Sequence, residues 1–411
     1  MLVAVAGPAV FLFLLELGLR AANVGYPVTF VVPSERNDAL TTNPYFGWHY
    51  QQRAFTEPHP CLVSRPKPSN TTRIFVLGGS AAMGTPDPTF GFARILEFML
   101  RRGFPDRRFE VINAAMRGIN SHVVRHISRE CAVLEPDIFI VYMGNNEVAG
   151  LYGPKTGTGF LGRHSALIPT YERIKRSRTN QLLRLALRNG PSVGRSEKRA
   201  QTAAYFAKHR TARDDPRRDA VYRNFHRNLS QICQNGLAAG ASVLVSTVPV
   251  NLRDCPPMAS LHRQDLAVPQ RKKWERLYGL GMASQEKEQF ARATEHFRNA
   301  AAIDDHFAEL HFRLGRCYLQ TGDVDAARRH FTLARDWDAL QFRADSRLND
   351  IIRGVAAEHS NQPVYLVDAK EILAASERCP DGICGDELFY EHVHFRFEGD
   401  YEMARALVPA V

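Results

Sequence analysis

Four short blocks of the chain carry residue types that acyl chemistry uses. The first is Gly78-Gly79-Ser80-Ala81-Ala82-Met83-Gly84, where glycines permit a tight strand-to-helix turn and a serine stands at the start of the helix. The second and third are Asn113-Ala114-Ala115-Met116-Arg117-Gly118 and Gly144-Asn145-Asn146-Glu147. The fourth, near the C-terminus, is Phe389-Tyr390-Glu391-His392-Val393-His394-Phe395. A serine hydroxyl is a weak nucleophile until a neighbouring base takes its proton, and a neutral imidazole suits that task near pH 7. Ser80 and His394 are the candidates for this pair, with Glu391, three residues before the histidine, holding the other ring nitrogen. The negative oxygen of a tetrahedral intermediate needs fixed donors, and the backbone N–H groups of Ser80 and Gly118 with the side-chain amide of Asn146 would supply them. Such chemistry requires no metal and no organic cofactor. Each block alone has a plainer reading: Asn146 as a helix cap, Gly118 as a turn residue, His394 as a structural histidine.

Positioning these blocks falls to short runs rich in β-branched and aromatic residues. Residues 73–79, 109–115, 137–144, 241–249 and 363–369 read as buried parallel strands. Amphipathic stretches at 90–102, 121–134 and 222–239 alternate with them, as in a doubly wound α/β sheet. Ligands bind such sheets at the carboxyl ends of the strands, where the first three blocks fall.

An internal repeat lies between the fourth and fifth strands. Leu280-Gly281, Ala293, Phe297 and Ala300 recur as Leu314-Gly315, Ala327, Phe331 and Ala334, thirty-four residues later. That period, with small residues where paired helices meet, resembles tetratricopeptide repeats. Tyr318 fits the repeat pattern, but Ser284 replaces its counterpart, Leu277 and His311 stand at the usual Trp position, and the late Pro is missing. Two copies are few for a free-standing solenoid, so the pair is expected to pack on the main domain or on a helix over 343–357.

Taken together, the four blocks resemble the SGNH (GDSL-like) hydrolases, whose blocks supply a serine, a glycine, an asparagine and a histidine in that order. Ser80, Gly118, Asn146 and His394 match those positions. The resemblance implies a three-layer α/β/α, flavodoxin-like sheet of about five parallel strands and a serine esterase. In the third block Glu147 stands where the family commonly has Asp, and in the last Glu391 does the same. A Glu can still orient an imidazole. Asp386 and Asp368 are the alternative carboxylates. The activity expected is hydrolysis of a carboxylic ester on a cell-envelope glycan or lipid. O-acyl transfer to a polysaccharide by the same triad and an idle scaffold acting through the repeats are the alternatives.

Net charge is +10 over 411 residues, but it is not spread evenly. From Lys155 to Arg227 eighteen Lys and Arg face five Asp and Glu, so the excess marks a local basic insert over 155–227 and gives no sign of nucleic acid as a partner. The insert is a candidate contact for anionic lipid or polymer, or simply a solvated helical surface. Residues 2–19 form an apolar run whose only charge is Glu16, near the minimum for spanning a membrane. The expected organisation is thus a transmembrane anchor over 1–22, an extended arm over 23–72, the hydrolase unit over 73–270 and 343–411, and the helical insert over 271–342. The bulk of the chain would then be extracytoplasmic, in a periplasm. Cys379 and Cys384 flank the turn-forming Pro380-Asp381-Gly382 and are expected to form a local disulfide, which suits an oxidising compartment. Together with His392 and His394 they match no common zinc framework. Asn251, Arg253, Arg343 and Arg347 are candidates to border the pocket and meet a carboxylate-bearing substrate. The aromatic run Tyr45 to Tyr50 reads as a lid, a sugar-stacking platform or a packed part of the arm.

Overall fold

The computed structural model describes residues 2–36, 38–50, 57–186 and 209–411. Three short antiparallel strands come first: β1 (Val31–Pro33), β2 (Ala39–Thr42) and β3 (Leu62–Ser64). The arm is therefore not merely extended, and its aromatic run is packed. Phe46 is fully buried, edge-on to Phe30 at 5.1 Å, and Trp48 meets Tyr45 and Tyr26 at 4.6 and 5.2 Å.

The main sheet has five parallel strands: β4 (Thr71–Gly78), β5 (Arg108–Asn113), β6 (Ile138–Tyr142), β7 (Ser242–Ser246) and β8 (Val364–Val367). Their order is β5-β4-β6-β7-β8. Every expected strand is present: β6, β7 and β8 are trimmed at both ends, while β4 and β5 begin two and one residues earlier than expected and end sooner. Strands buried on both faces can carry continuous apolar runs, as Phe75, Val76, Leu77 and Phe139, Ile140, Val141 do. The helices Phe92–Gly103 and Phe397–Leu407 pack together, and the helices Ser121–Cys131, Arg218–Ala238 and Ser346–Glu358 form a second group. The chain reverses its winding direction between β4 and β6, which opens a crevice at the carboxyl ends of those two strands.

Between β7 and β8 the chain forms two helical hairpins, Val268–Glu286 with Phe290–Ala301 and Ala308–Gln320 with Val324–Asp336. A Cβ on Gly281 would lie 2.5 Å from the Phe297 ring and one on Gly315 2.8 Å from the Phe331 ring, so the thirty-four-residue spacing repeats a real close approach of helices. The second hairpin packs on the main domain through Ile383, which shares a core with Phe312, Ala327 and Phe331.

The N-terminal expectation is overturned. Residues Leu2–Ala21 are helical, but among the described residues no helix is long and apolar enough to cross a membrane. One charged residue, Glu16, lies inside the apolar run. Its carboxylate accepts hydrogen bonds from Arg20, from the backbone N–H groups of Arg178 and Thr179 and from the Thr179 hydroxyl, tying the helix to Arg178–Ala186. Burial pushes its pKa up, but those bonds outweigh burial and hold it down to about 2, so the run carries a fixed charge. The transmembrane anchor over 1–22, the membrane as partner and the extracytoplasmic, periplasmic placement all rested on that span and fall with it. Of the basic insert, residues 187–208 lie outside the described residues; the rest is mostly helical.

Candidate active site

Ser80 opens a four-residue helix, Ser80–Met83, directly after β4. The turn is tight for a reason: a Cβ on Gly78 would meet the Tyr142 carbonyl oxygen at 2.1 Å, so β4 and β6 can approach this closely only with glycine there. Gly84 ends the helix with φ 84°, a left-handed cap. The segment after β5 is laced to β4 by Ala114 N–H to the Val76 carbonyl at 2.9 Å and Met116 N–H to the Gly78 carbonyl at 3.2 Å. These bonds bring Gly118 alongside the serine turn. Gly118 has φ 66° and Asn146 φ 67°, so both loop tips are left-handed. The Asn146 amide donates to the Ile119 carbonyl at 3.4 Å and lies 3.9 Å from where a Gly79 Cβ would stand. The Ile119 carbonyl, next to Gly118 in the chain, lies 3.5 Å from the same Gly79 Cβ position, so the second and third loops both border the serine turn.

His394 reaches the same turn from the far end of the chain. Its Nε2 lies 2.8 Å from Ser80 Oγ, and its Nδ1 is in contact with Glu391 Oε1. The Glu391 carboxylate also accepts from the backbone N–H groups of His392, at 2.6 Å, and His394, at 3.2 Å, and its other oxygen touches His392 Nδ1. The extra methylene relative to aspartate is taken up in this wrap, which lets one carboxylate serve the imidazole and its own loop. Burial, then the positive charge of Arg117, lowers the His394 pKa to about 4, so the ring is neutral and able to accept a proton at pH 7. The alternative carboxylates are engaged elsewhere: Asp386 accepts from Asn251 at 2.8 Å, and Asp368 pairs with Arg353 at 2.9 Å.

Glu147 has a part that its place in the third block did not reveal. It is buried, and its two oxygens accept from the Ser121 N–H at 2.7 Å and the Ser121 hydroxyl at 2.8 Å, locking the second loop to the third. Burial raises its pKa to about 7 against the pull of those bonds.

Cys379 and Cys384 are joined in a disulfide, with Cα atoms 4.8 Å apart. The bridged loop leads directly into the histidine segment. Leu252 and Arg253 donate backbone N–H bonds to the Cys384 carbonyl, and Asn251 N–H donates to the His392 carbonyl at 3.1 Å. Among the four candidate pocket residues, Asn251 and Arg343 are buried in the scaffold; Arg343 donates to the carbonyls of Asn251 and Cys255 at 2.9 and 2.8 Å. Arg253 pairs with Asp254 and Glu387. Arg347 bonds Asp219 at 2.8 Å and lies 4.1 Å over the Tyr222 ring, on the helix Arg218–Ala238. The cation whose charge acts on His394 is instead Arg117, held by Thr85 and the Pro86 carbonyl. Its position beside Gly118 in the second block was the available signal.

Comparison with known proteins gives a partial match. Residues 285–346 match the tetratricopeptide repeat family, in keeping with the paired helices. No curated protein matches the chain. Solved structures similar to it include the acetyl xylan esterase AlAXEase, 11% identical over 82% of this chain and 99% of that one, with a TM-score of 0.37. A GDSL-like lipase from Bacteroides thetaiotaomicron is 10% identical over 85% of this chain and 91% of its own, with a TM-score of 0.37. A lipase/acylhydrolase from Enterococcus faecalis is 10% identical over 82% and 94%, with a TM-score of 0.33. At such distances the chemistry of the site rests on its own geometry.

Proposed function

We propose that this protein is a serine-dependent carboxylic ester hydrolase of the SGNH type, its hydrolase unit formed by residues 73–270 and 343–411 around the inserted helical pair at 271–342. The observation that carries this reading is the 2.8 Å approach of His394 Nε2 to Ser80 Oγ, with Glu391 on the opposite ring nitrogen. Ser80 Oγ attacks the ester carbonyl carbon while its proton passes to His394 Nε2. Glu391 stabilises the imidazolium and fixes the tautomer. The carbonyl oxygen, now an oxyanion, is held by the N–H groups of Ser80 and Gly118 and the Asn146 amide; losing one such donor typically costs roughly 3 kcal/mol of barrier. Collapse of the intermediate expels the alcohol, which takes the proton back from His394. Water then repeats the sequence on the acyl-enzyme and releases the acid.

Treating the full chain with a fluorophosphonate probe and mapping the adduct by mass spectrometry tests the proposal. The adduct is expected on Ser80, together with turnover of p-nitrophenyl acetate. Turnover without modification of Ser80, or neither, would defeat it.

A further inference from the structure

Away from Ser80, a cavity of about 190 Å³ opens among the helices Ser121–Cys131, Ile168–Arg176 and Arg218–Ala238. Two cations line it. Arg125 donates to Gln231 at 2.8 Å, and Arg227 donates to the Ser165 hydroxyl at 2.9 Å and to Asn224 at 2.8 Å. All three acceptors are neutral, and among the described residues neither guanidinium forms an ion pair. Burial, and then the charge of Arg125, makes Arg227 less basic than usual, so the two cations repel across the cavity. The third polar group is His122. It is only 4% exposed, lines the cavity, meets the Tyr152 ring edge-on at 4.8 Å and forms no hydrogen bond among the described residues. Burial, followed by the charges of Arg125 and Arg227, brings its pKa down to about 3, so it is a neutral imidazole with one N–H to give. Apolar Ile168 and Pro169 complete the wall.

Arg227 is exposed and Arg125 half-buried, so water screens both, but no carboxylate answers either charge among the described residues and the His122 ring lies beside them. An oxyanion between them removes the repulsion and accepts from all three. We propose that this cavity binds a phosphate monoester: the dianion matches the charges of Arg125 and Arg227, and the organic part rests on Ile168 and Pro169. A carboxylate shares the oxyanion chemistry but brings half the charge. The site stands apart from the chemistry proposed at Ser80, although it adjoins the same scaffold. Asn228, on its wall, donates to the Ser121 hydroxyl at 3.0 Å, and that hydroxyl holds Glu147.

Titration calorimetry on the full chain, with glycerol 3-phosphate and butyrate at ionic strength matched by chloride, tests this. Glycerol 3-phosphate is expected to saturate one site and bind at least ten times more tightly than butyrate. Arg227→Gln should weaken it at least tenfold without shifting the thermal midpoint, because that side chain lies on a largely exposed face; Arg125→Gln should do the same. Heat that tracks ionic strength without saturating, equal affinity in a folded Arg227→Gln variant, or tighter binding of butyrate would each overturn the proposal.

Discussion

The serine turn and the histidine segment meet at 2.8 Å but are built in opposite ways. Ser80 is positioned locally: β4, two glycines and a four-residue helix define its place, and the neighbouring strand β6 makes Gly78 obligatory. His394 follows no strand directly. Its segment closes on itself through Tyr390 N–H to the His394 carbonyl and is held by residues remote in sequence: Asn251 on the His392 carbonyl, Arg253 on Glu387, and the disulfide loop whose Ile383 lies in the core of the second helical hairpin. One half of the proposed pair is thus fixed by local backbone geometry, and the other largely by ties to residues remote in sequence. The second half should therefore respond to distant changes that leave the first untouched.

The largest expected effect does not distinguish the halves. Ser80→Ala should lower turnover of p-nitrophenyl acetate on the order of 10⁵-fold and abolish fluorophosphonate labelling, with an unchanged circular dichroism spectrum; His394→Ala should do nearly the same. Full activity in either variant would remove the proposed chemistry. Glu391→Gln comes next, with an expected loss on the order of 100-fold or more in kcat, because the amide cannot stabilise the imidazolium. Glu391→Asp should retain part of the activity, since a shorter side chain falls short of the ring. Equal rates in Glu391→Gln and wild type would show that another carboxylate, such as Asp386, orients His394 or that no triad operates.

The comparison itself is tested by replacing both Cys379 and Cys384 with Ser. Stability should fall by about 2 kcal/mol. Turnover should fall with it, while backbone amide exchange quickens only around residues 379–394 and not at the serine turn. Altered protection at Ser80–Met83 would show that the two halves are not independent. Gly315→Val acts further away. Its side chain would drive into the Phe331 ring, and overpacking of this kind costs about 1–3 kcal/mol, read as a lower denaturant midpoint. An unchanged midpoint would argue against close helix packing at that glycine.

The mildest change is expected from Glu147→Gln. A buried acid whose pKa rises from 4.5 to about 7 on folding stabilises the fold fully below the unfolded value, and that contribution is lost as pH climbs through 7. Glutamine retains an acceptor for the Ser121 N–H and gives a donor to its hydroxyl without ionising. The variant should match wild type near pH 5 and surpass it at pH 8 in urea melts. A parallel decline in both proteins would place the ionisation elsewhere, with Asp400, raised to about 8 by burial, the next candidate.

Much of the architecture was legible because it rests on local pattern. The five buried strands announce themselves as continuous apolar runs, the serine turn as glycines after a strand, and the helical pair as a repeated small-residue spacing. What pattern cannot carry is the partner of a charge. Nothing around Glu16 reveals that Arg178 and Thr179 will receive it, so the apolar run 2–19 reads as a span. Arg343 and Asn251 resemble pocket residues until their buried carbonyl and carboxylate partners are seen. The small sheet β1–β3 went unread because strands of three or four residues leave no alternation to detect. Glu147 stood in a recognised block, yet its hold on Ser121 depends on two loops meeting in space.

Strands β7 and β8 lie side by side, yet the whole helical pair is threaded between them in the chain. Because synthesis runs from the N-terminus, β4 to β7 and the serine turn leave the ribosome before β8 exists. The helical hairpins, whose contacts are close in sequence, can fold during that interval, while β7 waits as an unpaired edge. His394 arrives last of all. A nascent chain therefore carries Ser80 without His394, and under the proposed chemistry hydrolytic competence appears only when the histidine segment docks, so chains cut short before it should be chemically silent.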